Sequence, residues 1–188
     1  MFTKEHLTEL VECSATALKA ENEYVEKCYS GKPDWNNDRH GLRENTNEHY
    51  YQSIIWRGVL KSSIPWRPEI ESGGNKYDLV FYDDRDKAVV AVGEIKGYWR
   101  SDGTDISGIL GDLRKLRLSQ SPGVMIILTT HAAGKAKENY QELARILGVP
   151  RGELVIHGFP TKPWTGQSGD YKFDVIGFLV PKEPSSPA

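Results

Sequence analysis

One apolar segment, KAVVAVGEIK at residues 87–96, constrains the fold of this chain more than any other feature of its sequence. Side chains along a β-strand point alternately to the two faces of a sheet, and here both sets are apolar for most of the strand. A strand of this kind has to lie inside a sheet that is covered on both faces. The segment nevertheless ends in two charged residues on one face, Glu94 and Lys96, and this charged end requires an explanation.

The segments around this strand alternate between strand and helix periodicity. Strand patterns cover residues 66–72, 77–83, 123–130, 153–159 and 171–180. Helix patterns cover residues 3–30, 45–63, 105–119 and 132–148. Strands that alternate with helices predict an α/β fold, in which helices cover both faces of a central sheet.

The length of the chain predicts a single domain. Its 188 residues lie within the usual size of one domain, and no linker divides the pattern. We expect a helix and polar loop at residues 1–43 to pack on a core at residues 44–180. The Pro- and Ser-rich residues 181–188 are expected to form a flexible tail.

The composition excludes several classes of protein. Charged residues make up 27% of the chain and the formal net charge is −2, as in ordinary globular proteins. No apolar run approaches the roughly 20 residues that a membrane helix needs, and the start, MFTKEHLTELVEC, lacks the pattern of a signal peptide. We therefore expect a cytoplasmic protein without a membrane partner. Because the charge is near neutral, a nucleic acid would have to be recognised by a local patch.

The charged end of the 87–96 strand gains a neighbour if the preceding strand folds back as a hairpin. A turn through Asp84–Asp86 places Asp78 opposite Val92 and diagonal to Glu94 on the same face. Diagonal neighbours on one face lie about 7 to 8 Å apart, so that two carboxylates could share one cation. We therefore expect Asp78, Glu94 and Lys96 to converge.

Two interpretations of this convergence are open. Unpaired buried charges cost several kcal/mol per ion, and Mg²⁺ would relieve that cost because it prefers carboxylate oxygens and water as ligands. A lysine beside the ion could orient an attacking water or help to deprotonate it. The alternative is a cross-strand salt bridge at the edge of the sheet, with no role in catalysis.

The Glu-x-Lys tripeptide is informative only in its setting. With 26 acidic and 24 basic residues in 188 positions, roughly three acid-x-base matches arise by chance. Two acid-x-Lys matches occur, Glu94-Ile95-Lys96 and Asp170-Tyr171-Lys172. The second opens its strand after a Gly-rich loop and has no hairpin partner that supplies an aspartate.

Together these residues resemble the PD-(D/E)xK nuclease superfamily, whose fold is shared by many restriction endonucleases, Holliday-junction resolvases and phage-type exonucleases. The family pattern is a helix with an acidic residue, a three-stranded meander, a further helix and a further strand. The second strand of the meander carries Asp and the third carries Glu-x-Lys. In this chain the pattern falls on Glu48, Asp78 and Glu94-Ile95-Lys96, within residues 44–130.

The resemblance implies a restriction endonuclease-like core of three layers, with a central mixed β-sheet flanked by helices and an extra N-terminal helix. It implies a nuclease that hydrolyses phosphodiester bonds in DNA with Mg²⁺, for which Mn²⁺ could substitute. The metal would be held by Asp78, Glu94, the Ile95 carbonyl and Glu48. Lys96 would position the water and stabilise charge on the phosphate. Glu44, four residues before Glu48, is an alternative helix acid, and a homodimer is compatible with the resemblance.

Basic residues near the proposed site are candidates for binding DNA. Arg57 and Arg100 each follow a tryptophan, and arginine can reach a phosphate while tryptophan stacks on a splayed base. Lys115 lies in a basic stretch of the helix that follows the third strand. The alternative is that the tryptophans lie in the core and the basic residues form a solvated face.

Two other functions remain open. The chain could be a catalytically silent subunit of the same fold that binds a nucleic acid or a protein but no metal. It could also be a different α/β protein, such as an enzyme with a small-molecule substrate. An open groove around Asp78 would favour nucleic acid, whereas a deep pocket elsewhere would favour a small ligand.

Overall fold

The computed structural model describes residues 1–29, 42, 48–70, 77–98, 106–162 and 169–182. The helices in these ranges are α1 (Lys4–Tyr29), α2 (Glu48–Val59), α3 (Ile106–Leu118) and α4 (Ala136–Leu147). The strands are β1 (Arg67–Glu69), β2 (Leu79–Tyr82), β3 (Val89–Tyr98), β4 (Gly123–Ala132), β5 (Val155–Thr161) and β6 (Tyr171–Val180). The predicted α/β class is confirmed, with helices and strands in the predicted order.

The six described strands form one mixed sheet in the order β1-β2-β3-β4-β6-β5. β3 and β4 are parallel, and every other neighbouring pair is antiparallel. α3 connects the two parallel strands. Such a crossover is needed because the last residue of one parallel strand and the first residue of the next lie at opposite ends of the strands. The apolar segment at residues 87–96 forms most of β3, which lies inside the sheet as predicted.

Helices α1 and α2 cover one face of the sheet. Leu10 and Leu18 of α1 and Ile55 of α2 are fully buried in one cluster with Phe81 and Phe173 of the sheet. α1 approaches the sheet closely at Gly177 of β6, where an added Cβ would lie 2.5 Å from Cγ2 of Val11. Glycine is therefore needed at this position for the helix to pack at this distance.

Helices α3 and α4 cover the opposite face. Leu113 and Leu116 of α3 and Leu143 of α4 are buried in a second cluster with Val92 and Met125. Burying a leucine side chain contributes about 1.5 to 3 kcal/mol, so these apolar stripes hold both helices on the sheet. In the described part of the chain the layers are two helices, the sheet and two helices. Val92, Glu94 and Lys96 belong to the face under α3.

The turn between β2 and β3 differs from the sequence prediction, because residues 83 and 87 do not pair. The N–H of Asp83 donates to the carbonyl of Ala88 over 3.0 Å, and the N–H of Lys87 donates to the carbonyl of Asp83 over 2.8 Å. Lys87 adopts a left-handed backbone with φ 59°, which closes a turn of four residues rather than three. This extra residue alone would direct every side chain of β2 to the opposite face.

A β-bulge restores the faces of the hairpin. Tyr82 pairs with Val89 whereas Phe81 pairs with Ala91, so Val90 of β3 is the extra, unpaired residue of the bulge. Turn and bulge together shift the register by two residues. Asp78 therefore lies level with Glu94 and not opposite Val92, as the sequence predicted, while both acids keep a common side.

Among the described residues, no helix combines the length and the apolar character needed to cross a membrane. Of the predicted polar loop before α2, only Leu42 belongs to the described residues, and of the predicted tail at residues 181–188, only residues 181 and 182 do.

Candidate functional site

The site lies where β3 extends past the end of β2. The last pair between these strands is Leu79 with Gly93, whereas β3 continues to pair with β4 as far as Tyr98. The N–H of Ile95 donates to Oδ2 of Asp78 over 2.8 Å. The Asp78 carboxylate thus accepts the hydrogen bond that a backbone carbonyl would accept if β2 continued along β3. The Ile95 carbonyl points to the same edge, because the N–H and C=O of a strand residue point the same way.

Lys96 brings two helices to this strand end. Its Nζ lies 3.2 Å from Oε2 of Glu48, the first residue of α2, and 3.3 Å from Oδ2 of Asp112 on α3. The contact with Glu48 is a hydrogen bond. The Asp112 oxygen is buried and accepts no hydrogen bond, so this second contact is an ion pair without hydrogen-bond alignment.

Glu94 is the most deeply buried acid of the site. Its side chain is 4% exposed, and its Oε1 accepts a hydrogen bond from Nζ of Lys115 over 2.5 Å. The Lys115 ammonium also lies 4.6 Å from the centre of the Tyr77 ring, in the position of a cation–π contact. α3 and β3 are therefore joined by two charge pairs, Lys115 with Glu94 and Asp112 with Lys96.

These contacts define a carboxylate–lysine cluster, which consists of Glu48, Asp78, Glu94, Asp112, Lys96 and Lys115. Four carboxylates face two ammonium groups, so that the fully ionised cluster has a charge of −2. Charges of one sign in a partly buried site repel each other strongly, because the surrounding dielectric constant is low. A divalent cation has the charge that would neutralise this excess.

Burial first, and the neighbouring aspartates second, raise the pKa values of the two glutamates. Burial, together with repulsion from Asp78 and Asp112, raises the pKa of Glu94 to about 7 in spite of its bond with Lys115. Burial and the same two aspartates also raise the pKa of Glu48, although Lys96 opposes the shift. Burial would lower the pKa of Lys96, but Glu48 and Asp112 outweigh burial and raise it. Lys96 therefore remains protonated.

The raised pKa of Glu94 predicts a stability that depends on pH. Between the ordinary glutamate pKa of 4.5 and about 7, the folded protein binds more protons at Glu94 than the unfolded chain does. The free energy of unfolding should therefore fall as the pH rises through this range, by on the order of 2 kcal/mol. Glu94→Gln should reduce this decline and leave the smaller part due to Glu48 and His131, whose pKa values are also raised. Denaturant titrations in metal-free buffer between about pH 5 and pH 8 would measure the change.

Glu138→Gln provides the matched control, because the Glu138 side chain on α4 is 60% exposed. This variant should keep the pH profile of the parent. Parallel profiles for the parent and Glu94→Gln would contradict the assignment of the decline to Glu94.

The cluster has the oxygen donors that Mg²⁺ prefers, and the Asp112 oxygen without a hydrogen bond is a buried acceptor of the same kind. In the described part of the chain, no three His, Cys, Asp or Glu side chains are grouped to hold a metal as they stand. Ammonium groups occupy the positions beside these acids: Lys115 contacts Glu94, and Lys96 lies between Glu48 and Asp112. The donor chemistry fits a metal, and a metal would have to compete with a lysine.

The other residues predicted from the sequence are distributed as follows. Lys115 joins the cluster, but as the partner of Glu94. Arg57 lies nine residues after Glu48 on α2, about 13 Å along the helix axis, and lines a groove between α1 and α2. Arg100 and the alternative helix acid Glu44 lie outside the described residues.

Asp112 is the member of the cluster that the sequence analysis missed. The role predicted for this helix rested only on its basic residues. A signal for Asp112 was present in the sequence. This acid lies three residues before Lys115 and beside the buried positions Ile109, Leu113 and Leu116 of the helix. Residues three apart lie on one side of a helix, so the charged pair could have been placed over the strand end.

A second buried charged group lies under α4. Nε2 of His131 donates to Oδ2 of Asp174, and the Tyr140 hydroxyl donates to the same oxygen over 2.6 Å. Nδ1 of His131 lies 2.9 Å from the carbonyl of Ala132, to which it donates when protonated. An added Cβ at Gly158 would lie 1.9 Å from Oδ1 of Asp174. Both histidine nitrogens are committed, so this group supports the fold.

Two recesses on the surface lie away from the cluster. One, of about 490 Å³, is the groove between α1 and α2, lined in part by Cys13, Ala17 and Gly58. The other, of about 460 Å³, is lined by Trp56, Leu60, Arg67, Pro68, Glu69 and Ile70. Neither is lined by a residue of the carboxylate–lysine cluster.

Comparison with known proteins does not assign the chain to a family: no family model, curated protein or solved structure matches it.

Proposed function

We propose that this protein is a metal-dependent nuclease with a restriction endonuclease-like fold that hydrolyses phosphodiester bonds in DNA. The observation that carries the proposal is the carboxylate–lysine cluster, in which acids from α2, from the residue before β2 and from β3 lie with Lys96 and Lys115 at one strand end. The order of elements also supports it: α2, the β1–β2–β3 meander, α3 and the parallel strand β4 follow the family pattern.

The residues of the cluster can divide the work of such a reaction. Asp78, Glu94, Glu48 and the Ile95 carbonyl would hold Mg²⁺, which supplies Lewis-acid activation of water and phosphate when bound. Lys96 remains charged between Glu48 and Asp112, so its role is to orient the nucleophile and stabilise charge on the phosphate rather than to accept a proton.

A cleavage assay tests the proposal. Purified protein is incubated with supercoiled, linear, single-stranded and branched DNA in Mg²⁺, Mn²⁺ or EDTA. We expect cleavage of at least one substrate with either metal and none with EDTA. Cleavage of branched DNA alone would indicate recognition of a junction, whereas shortening of linear DNA from its ends would indicate an exonuclease.

The competing function is that of a catalytically silent subunit. The two charge pairs between α3 and β3 favour it, because they could serve only to fix the helix on the sheet. Absence of cleavage on every substrate, together with absence of Mg²⁺ binding by calorimetry, would support this alternative and contradict the nuclease.

A further inference from the structure

We infer that Lys115 is an exchangeable counter-ion of the site: its ammonium neutralises Glu94 when no metal is bound and moves to a phosphate of the substrate when a metal takes Glu94. This inference rests on the proposed function and adds a role to it. It makes Lys115 a residue that contacts the substrate only in the metal-loaded protein.

The first step of the argument is that a metal at Glu94 must displace Lys115. Glu94 has a side chain that is 4% exposed, and its Oε1 is in direct contact with Nζ of Lys115 at 2.5 Å. A second cation within about 4 Å of this ammonium would be repelled by several kcal/mol at the effective dielectric constant of such a site. The ammonium and the metal therefore exclude each other from the same oxygen.

The second step identifies which lysine leaves. Lys96 is held from two sides, by Glu48 at 3.2 Å and by Asp112 at 3.3 Å, so it keeps Asp112 even when the metal takes Glu48 together with Glu94. Lys115 does lose the carboxylate that the metal takes. Lys115 lies on the same face of α3 as Asp112, so its side chain stays beside the strand end after the ammonium has left Glu94.

The third step is that the Lys115 ammonium can be held near Glu94 by the Tyr77 ring and can then reach a phosphate of the substrate. The face of the Tyr77 ring lies 4.6 Å from Nζ and can hold the ammonium beside Glu94 but away from its oxygens. The Lys115 side chain is 28% exposed, so its flexible stem can reach solvent. A phosphate bound to the metal would be the nearest new anion, and lysine binds phosphate as a point charge.

Two substitutions test the exchange by metal binding. Lys115→Met removes the competing charge and keeps the stem, and Lys115→Gln also keeps a donor for Glu94. Binding is measured by calorimetry with Mg²⁺ at about pH 8.5 and again at about pH 9.5, because Lys115 lowers the pKa of Glu94 and its removal lets a proton compete better with the metal. Both variants should bind Mg²⁺ about tenfold more tightly than the parent, and Lys115→Arg should not.

DNA binding provides a second readout that a purely structural lysine would not affect. Ca²⁺, which takes the same kind of oxygen ligands, is used in place of Mg²⁺. With Ca²⁺, Lys115→Met should weaken DNA binding and reduce the slope of log K against log salt concentration by about one. With EDTA, the variant and the parent should bind DNA equally, because the ammonium is then held by Glu94.

Lys137→Met is the matched control, since Lys137 is an exposed lysine on α4. It should change neither metal affinity nor the effect of Ca²⁺ on DNA binding. If the parent binds Mg²⁺ and the Lys115 variants bind it equally or more weakly, the exchange is wrong while the nuclease stands. If the parent binds no metal, both proposals are wrong.

Discussion

Glu94→Gln is expected to abolish Mg²⁺ binding and DNA cleavage together. Glu94 is one of the acids proposed to hold the metal, and a hard cation that loses a carboxylate loses much of its attraction to the site. The variant keeps the size of the side chain and an acceptor for Lys115. Calorimetry and the cleavage assay measure the two losses on the same preparation, and Glu138→Gln should retain both properties.

Lys96→Met should separate cleavage from metal binding. Lys96 is not a ligand, so removing its charge should leave Mg²⁺ affinity equal or higher. The cleavage rate should fall by about 10² or more, the usual effect of losing one group that stabilises the transition state.

A structural role for the cluster makes a different prediction for the same two variants. Breaking a buried charge pair from either end leaves an uncompensated charge and costs about 3 to 5 kcal/mol. Equal destabilisation of Glu94→Gln and Lys96→Met in thermal melts, with no shift of the parent melting temperature by Mg²⁺, would mean that the cluster holds α3 on the sheet and cuts nothing.

Asp174→Ala should be the most destabilising single substitution that we propose. The Asp174 side chain is 2% exposed and accepts hydrogen bonds from both His131 and Tyr140. Its loss leaves one buried and one partly buried donor without an acceptor. The expected cost is about 3 to 5 kcal/mol. Denaturant titration measures it, with Asp170→Ala as a control at an exposed position just before the same strand.

The destabilisation by Asp174→Ala should also depend on pH. Burial would lower the pKa of His131, but the bonds to Asp174 and the Ala132 carbonyl outweigh burial and raise it. A histidine with a raised pKa contributes stability that is complete below its unfolded pKa of about 6.5 and is lost as the pH rises through the folded value. The variant should therefore differ more from the parent at pH 6 than at pH 9. A constant difference would contradict a charged His131.

The sequence predicted the elements of the fold better than their register. The apolar strand β3 and the amphipathic helices follow from periodicity, because burial depends on which residues share a face. The pairing of Asp78 with Glu94 also depends on the turn and the bulge. Lys87 is not a residue type that signals a left-handed turn position, and Val90 is an ordinary strand residue, so neither feature was visible in the sequence.

Strand periodicity predicted the residues of the candidate site that lie on the hairpin, and the family resemblance added Glu48. Asp78, Glu94 and Lys96 were placed on one side by the period of the strands. The contacts of Asp112 with Lys96 and of Lys115 with Glu94 depend on how α3 crosses β3. That crossing is set by the packing of Leu113 and Leu116 rather than by a motif. Local patterns do not determine contacts between elements that are distant in the sequence.

The four-residue turn and the bulge in β3 limit how the hairpin can change in length. Deleting one residue of the turn alone would reverse the faces of β2 and direct Asp78 away from Glu94. Deleting a turn residue together with the bulged residue would leave both acids on one side. The spacing between Asp78 and Glu94-Ile95-Lys96 can therefore change by two residues with both acids still on one side. A change of one residue, in a loop graft or a naturally shortened hairpin, would separate them.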